Sequence, residues 1–273
     1  MTEPIVVGVD GSGRSLRALL WAAQEASLHH RPLRIVHVLP FEPAPVPEPR
    51  IVSEATAIAT QAHPELEVTS AESVGTPAAA FLSESERAHT VTLGAKGRGG
   101  FGTVMLGSVA LQVVGHAASP VVVVNHVPLG QGRITVGVDG SAHSQAALEY
   151  AFKEASLRST QLQALYAWSP PGGPAPVSPA QDEADAEYRQ ALQEWLAPLR
   201  HEYPDVEVVE ELAHESPVLA LARASDRSDL LVVGSRGRGG FRGLALGSVS
   251  HALLQYSMCP MAVIRPHTQP APS

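Results

Sequence analysis

The 273-residue chain is expected to be α/β, folding as two tandem doubly wound domains, each with a five-stranded parallel sheet. Three observations point there. Apolar runs alternate with amphipathic segments throughout each half. The series is also written twice: Ile5-Val6-Val7-Gly8-Val9-Asp10-Gly11-Ser12 recurs 129 positions on as Ile134-Thr135-Val136-Gly137-Val138-Asp139-Gly140-Ser141, while Gly94 and Gly234, or Pro120 and Pro260, stand 140 apart. Finally, Gly94-Ala95-Lys96-Gly97, nine residues and Gly107-Ser108 recur as Gly234-Ser235-Arg236-Gly237, nine residues and Gly247-Ser248. Such copies are too long for solenoid repeats and suit two complete domains, residues 1–130 and 131–273.

Strands are expected near 4–10, 33–39, 66–71, 90–94 and 121–125, then near 133–139, 162–168, 206–212, 229–234 and 261–265. Runs such as Val121–Val124 and Leu230–Val233 are continuously apolar, as strands covered on both faces require. Between them, Leu16, Leu19, Leu20 and Ala23 follow helical spacing, and Thr76-Pro77 and Ser216-Pro217 read as a cap followed by proline at the first helical position. The proline-rich stretch from Pro40 to Pro49 cannot be helical, since proline lacks the amide donor and clashes with the preceding turn. Only a short helix near 51–62 follows it. The counterpart after Ser169-Pro170-Pro171 is a longer helical pattern, about Gln181 to Arg200, with Tyr188, Leu192, Trp195, Leu196 and Leu199 on one side. The 11-residue difference between the halves amounts to about 16 Å of helix at one rim.

Composition narrows the function classes. No apolar run approaches the ~18 residues that span a bilayer, and Met1-Thr2-Glu3-Pro4 has no basic region ahead of an apolar one, so neither membrane nor secretory leader is expected. The single cysteine, Cys259, forms no intrachain disulfide and suits a reducing, cytoplasmic location. A net charge of −8 argues against nucleic acid as a partner.

The glycine loops carry the local chemistry. A strand ending in glycine, a loop of small residues and a helix opening on Gly-Ser gather free amides and a positive helix end around one point, which is an anion site. Glycine permits positive φ and close approach of phosphate oxygens. Ser108 and Ser248 add a hydroxyl, and Lys96 with Arg98, or Arg236 with Arg238 and Arg242, add charge. A polyphosphate is the expected ligand; the alternative is a tight turn with a serine that merely caps a helix. Gly97-Arg98-Gly99-Gly100-Phe101-Gly102 fits G-x-G-x-x-G, but it follows the fourth strand rather than the first, and no G-x-x-x-x-G-K-[ST] occurs. Asp10 and Asp139 end the first strands, at the edge where open sheets bind ligands, and can meet a base, hold a metal or cap the next helix.

These residues resemble the universal stress protein family, in its ATP-binding subtype whose loop reads G-x2-G-x9-G-(S/T). The resemblance covers nearly the whole chain and rests on Val-Gly-Val-Asp-Gly-Ser in each half, Val36-His37-Val38, both loops, and Ser119-Pro120-Val121-Val122 or Cys259-Pro260-Met261-Ala262. It implies strand order 3-2-1-4-5, pseudo-two-fold pairing of the domains through their last strands, and ATP with Mg²⁺ or Mn²⁺. It places adenine against Asp10 and Val38, or Asp139 and Ala167. Ribose and phosphates would meet Gly94, Lys96, Gly97, Gly107, Ser108 and Val109, matched by Gly234, Arg236, Gly237, Gly247, Ser248 and Val249.

The halves differ at Ser250 against Ala110, Arg242 against Gly102, Asp229 against Thr90, and Ala167 where the family has valine. The extra donors suggest that the second domain holds phosphates more tightly. The expected function is an ATP-binding stress regulator whose occupied and empty states show partners different surfaces, with a homodimer of the tandem chain as a further assembly. Two alternatives stand beside it: a slow ATP hydrolase on the same fold, and a partner-binding protein with vestigial sites. No histidine or glutamate is placed by sequence as a general base, and none of the 12 histidines has metal-ligand spacing.

Overall fold

The computed structural model describes residues 2–39, 41, 50–97, 106–128, 130–168, 179–239 and 245–266. The first half contains strands β1 (Ile5–Gly8), β2 (Leu33–Leu39), β3 (Val68–Val74), β4 (Thr90–Gly94) and β5 (Val121–Val124), with helices α1 (Gly13–Leu28), α2 (Ile51–Ala62), α3 (Pro77–Ser85) and α4 (Ser108–His116). The second contains β6 (Arg133–Val138), β7 (Gln161–Ala167), β8 (Val208–Ala213), β9 (Leu230–Gly234) and β10 (Met261–Ile264), with α5 (Ala142–Arg158), α6 (Pro179–Glu202), α7 (Pro217–Ser225) and α8 (Ser248–Tyr256). Two compact units result, Met1–Leu129 with Leu254–Ala262 and Gly130–Leu253 with Val263–Ser273.

Within the first half the strands lie in the order β3-β2-β1-β4-β5, as expected, and within the second in the equivalent order β8-β7-β6-β9-β10. Ile5–Gly8 pairs in parallel with Leu33–Val36 on one side and Ile5–Val7 with Thr90–Thr92 on the other. β6 sits between β7 and β9 in the same way. The chain therefore reverses its winding direction beside β1 and beside β6, and a crevice opens at the carboxyl ends of those strands.

The buried residues explain why these segments are strands. All four residues of β5, of β10 and of β1 are buried, whereas β3 alternates between half-buried and exposed positions, as an edge strand with one wet face does. α1 buries Ala18, Leu19, Ala22, Ala23 and Ala26. Of the four residues whose spacing marks this helix, Leu16 and Leu20 remain 40% and 43% exposed. Four residues apart, they share a face rotated away from the sheet. α6 continues through Pro198 and buries Leu192, Leu196 and Leu199.

Helix starts are fixed locally. Ser12 and Ser141 cap α1 and α5, each accepting a 3.1 Å bond from the amide three residues on, Ser15 or Ser144. Ser216 caps α7 in the same manner, but Thr76 makes no side-chain capping bond to α3, whose start relies on Pro77. Ser141→Ala should cost about 1 kcal/mol, read as a lower urea midpoint with unchanged slope.

Candidate functional site

A cavity of about 310 Å³ opens at the carboxyl edge of the first half, between β1 and β4. A second, of about 410 Å³, opens between β6 and β9. Asp10, Val38, Gly94, Lys96, Gly97, Gly107, Ser108 and Val109 all line the first. Asp139, Ala167, Gly234, Arg236, Gly237, Gly247, Ser248, Val249 and Ser250 all line the second. Arg98, Arg242, Gly102, the proline-rich stretch Pro40–Pro49 except Phe41, and Ser169–Pro174 lie outside the described residues.

Each cavity has an apolar side and a polar end. Val38, Pro77, Phe81 and Leu93 supply the first apolar wall, and Leu165, Ala167, Pro217, Leu221 and Val233 the second. At the polar end the first intrahelical bond of α4 runs from Leu111 N–H to Gly107 O, and that of α8 from His251 N–H to Gly247 O. The amides of residues 108–110 and 248–250 precede these bonds, and a helix offers such leading amides to an anion. Lys96 or Arg236 stands beside them.

The loop glycines are needed for space rather than for unusual torsions. Among the described glycines, positive φ occurs at Gly11, Gly75, Gly130, Gly132 and Gly140, and at none of the six loop positions. A β-carbon on Gly94 would stand 3.0 Å from the Arg14 carbonyl carbon, and one on Gly234 would stand 2.6 Å from that of His143. On Gly97 or Gly237 it would stand 2.5 Å from the aspartate Oδ2. The amides of Gly107 and Gly247 are spent within the loop, on Ala95 O at 2.6 Å and Ser235 O at 2.8 Å.

Helix capping falls to Ser12 and Ser141, and the Asp139 carboxylate ties turn to loop. Asp139 Oδ1 accepts from the Ser141 amide at 3.0 Å and Oδ2 from the Arg238 amide at 3.0 Å, so one carboxylate joins the β6–α5 turn to the glycine loop. The Asp139 amide in turn donates to Ser144 Oγ at 3.3 Å. Asp10 repeats the turn bonds, its Oδ1 accepting from the Ser12 amide at 3.0 Å and its amide donating to Ser15 Oγ at 3.3 Å. Burial works against ionisation of Asp139, but the hydrogen bonds from Ser141, Ser144 and Arg238 outweigh it and hold its pKa below the ordinary value.

Other neighbours were not legible from local pattern. Arg236 Nε donates to His143 Nε2 at 3.2 Å. Burial, and then the charges of Arg236 and Arg265, push the His143 pKa down. In the first cavity His37 donates through Nδ1 to Val9 O at 2.8 Å. Ser250 Oγ donates to Gly234 O at 2.6 Å, so the proton assigned to a phosphate on sequence grounds braces α8 against β9. Asp229 lines neither cavity: its two oxygens accept from the Gln131 and Gly132 amides at 2.8 Å each, fixing the entry to β6.

The repeated winding and the paired crevices define a tandem doubly wound α/β protein with a cleft at each strand-order reversal. The universal stress protein family profile matches residues 1–125 and 131–265. A universal stress protein of Mycolicibacterium smegmatis is 35% identical over 286 residues, covering 96% of this chain and 97% of the relative. One of Mycobacterium tuberculosis strain H37Rv is 36% identical over 290 residues, covering 96% of each. The crystal structure of a universal stress protein from Archaeoglobus fulgidus shares the fold with a TM-score of 0.68 at 19% identity, over 97% of this chain and 99% of that one. The chain belongs to the universal stress protein family. Among its described residues, no helix is long and apolar enough to cross a membrane.

Proposed function

We propose that the chain is a cytoplasmic stress-response regulator that binds ATP in each half, nucleotide occupancy acting as its switch. The observation that carries this reading is the pairing, in both cavities, of an apolar wall with a helix start and a basic residue. An adenine ring suits the wall, and a phosphate tail suits leading amides beside Lys96 or Arg236. Ligand binding shifts a conformational equilibrium only by its difference in affinity for the two states, and the carboxylate joining turn to loop is the element through which such a difference would pass.

Mg²⁺ or Mn²⁺ would enter with the phosphates, since among the described residues Asp10 and Asp139 are the only carboxylates lining the cavities. One carboxylate with phosphate oxygens and water is an ordinary Mg²⁺ environment. The hydrolase alternative gains no support from Asp139, because a carboxylate with a lowered pKa is a weak general base at neutral pH. The test is mass spectrometry of small molecules released by denaturing the purified full chain, followed by calorimetric titration with ATP. The expected result is an adenine nucleotide and up to two binding events per chain; a chain that neither carries nor binds one refutes the reading. Phosphate release during the titration separates a hydrolase from a switch.

A further inference from the structure

The longer helix of the second half has no part in the reading above, yet it brings an aromatic cluster to the rim of the second cavity. The guanidinium carbon of Arg238 stands 5.4 Å from the centre of the Trp195 ring, within range of cation–π attraction. Arg238 also lines the cavity, and its amide donates to Asp139 Oδ2. The residue is thus held at its main chain by the carboxylate and at the far end of its side chain by an aromatic face.

The ring is itself supported. Tyr166 lies 6.1 Å from Trp195 and stacks on Tyr188 at 4.8 Å. Gly140, at φ +76°, leaves room for the arrangement: an added β-carbon would collide with both Arg238 Nη2 and the Trp195 ring. At the equivalent place in the first half, the neighbour of Gly11 is the aliphatic Ile51, 3.3 Å from where a β-carbon would stand. An aliphatic side chain offers a cation no comparable face.

We infer that Trp195 is a positioning residue for the second site, holding the Arg238 guanidinium at the cavity rim, where it adds affinity in proportion to the ligand's negative charge. A free arginine loses rotamer freedom on gripping an anion. One already stacked loses less, and the saving appears as affinity. Trp195 therefore acts on the phosphate tail rather than on base or sugar. This inference rests on the nucleotide reading of the cavities and makes the second site more sensitive than the first to phosphate count.

The experiment is calorimetric titration of the full chain with ATP and with AMP, for the natural sequence, Trp195→Ala, Trp195→Phe, Arg238→Gln and the double variant Trp195→Ala/Arg238→Gln. Trp195→Ala should weaken ATP at one of the two sites by about two- to five-fold and AMP by less. Trp195→Phe, which keeps an aromatic face, should retain most of the ATP affinity. In the Arg238→Gln background Trp195→Ala should add nothing, because the two residues act as one unit. The inference is overturned by equal weakening of ATP and AMP, by unchanged ATP affinity, or by additive effects. A natural chain that binds neither ligand overturns the nucleotide reading as well; natural binding that Trp195→Ala leaves unmoved removes this inference alone.

Discussion

Gly234→Ala should lower the thermal midpoint by several degrees and remove ligand binding from the second cavity while sparing the first. The new β-carbon would stand 2.6 Å from the carbonyl carbon and 2.7 Å from the carbonyl oxygen of His143. These are main-chain atoms at the start of α5, held by the Ser141 cap, and they cannot swing aside as a side-chain tip would. Overpacking of this kind costs about 1–3 kcal/mol, or about 2–12 °C for a domain of this size. Pushing β9 away from α5 also displaces the loop that begins at Gly234. Gly94→Ala meets Arg14 at 3.0 Å and should show the same effect in weaker form. Scanning calorimetry and binding stoichiometry check both; a Gly234→Ala chain that melts normally and still binds twice would show that β9 and α5 can separate freely.

Asp139→Asn should weaken nucleotide binding at the second site by about tenfold or more. A carboxylate accepts at both oxygens, whereas an amide must turn its NH₂ toward either the Ser141 or the Arg238 amide and leave that donor unpaired, at about 1–3 kcal/mol. The substitution also carries a pH signature. Because the folded-state pKa of Asp139 lies below its ordinary value, its contribution to stability is full above about pH 4 and is lost as pH falls through the lower folded-state value. Urea midpoints of the natural chain and Asp139→Asn should therefore differ most above about pH 5 and converge in stronger acid. A gap that stays constant across that range would mean the carboxylate charge does not hold the turn to the loop.

Where the sequence was legible, one physical signal dominated. β4, β5, β9 and β10 are buried on both faces, so their apolar runs mark them directly, and the observed bounds fall within a residue or so of the expected ones. β3 was expected at 66–71 and runs Val68–Val74. Its polar residues, Thr69, Ser70 and Glu72, belong to a wet edge, where pairing with β2 rather than side-chain pattern decides the ends. α2 and α6 were readable from the proline stretches before them and from the Leu192–Leu196–Leu199 seam.

The candidate site was legible as a set of segments but not as a set of contacts. Glycine spacing marked the loops, yet the steric reason for Gly94 and Gly234 lies in backbone about 80–90 residues earlier in sequence. The bonds of Arg236 to His143 and of Ser250 to Gly234, and the stacking of Arg238 on Trp195, join separate elements. No local periodicity encodes them. Ser250 shows the hazard: its hydroxyl is of the right kind for a phosphate, and only the fold reveals the carbonyl that takes its proton.

The bond from Arg238 to Asp139 spans 99 positions, while Asp139's bond to Ser141 spans two. Closing so long a loop carries an entropic cost that the short bond escapes. Order of assembly follows: the turn after β6 sets early, and the glycine loop docks only once β9 has taken its place beside β6. The same hierarchy in reverse makes that docking the first contact to be surrendered on warming, so the second half can lose its cleft while its strands stay paired.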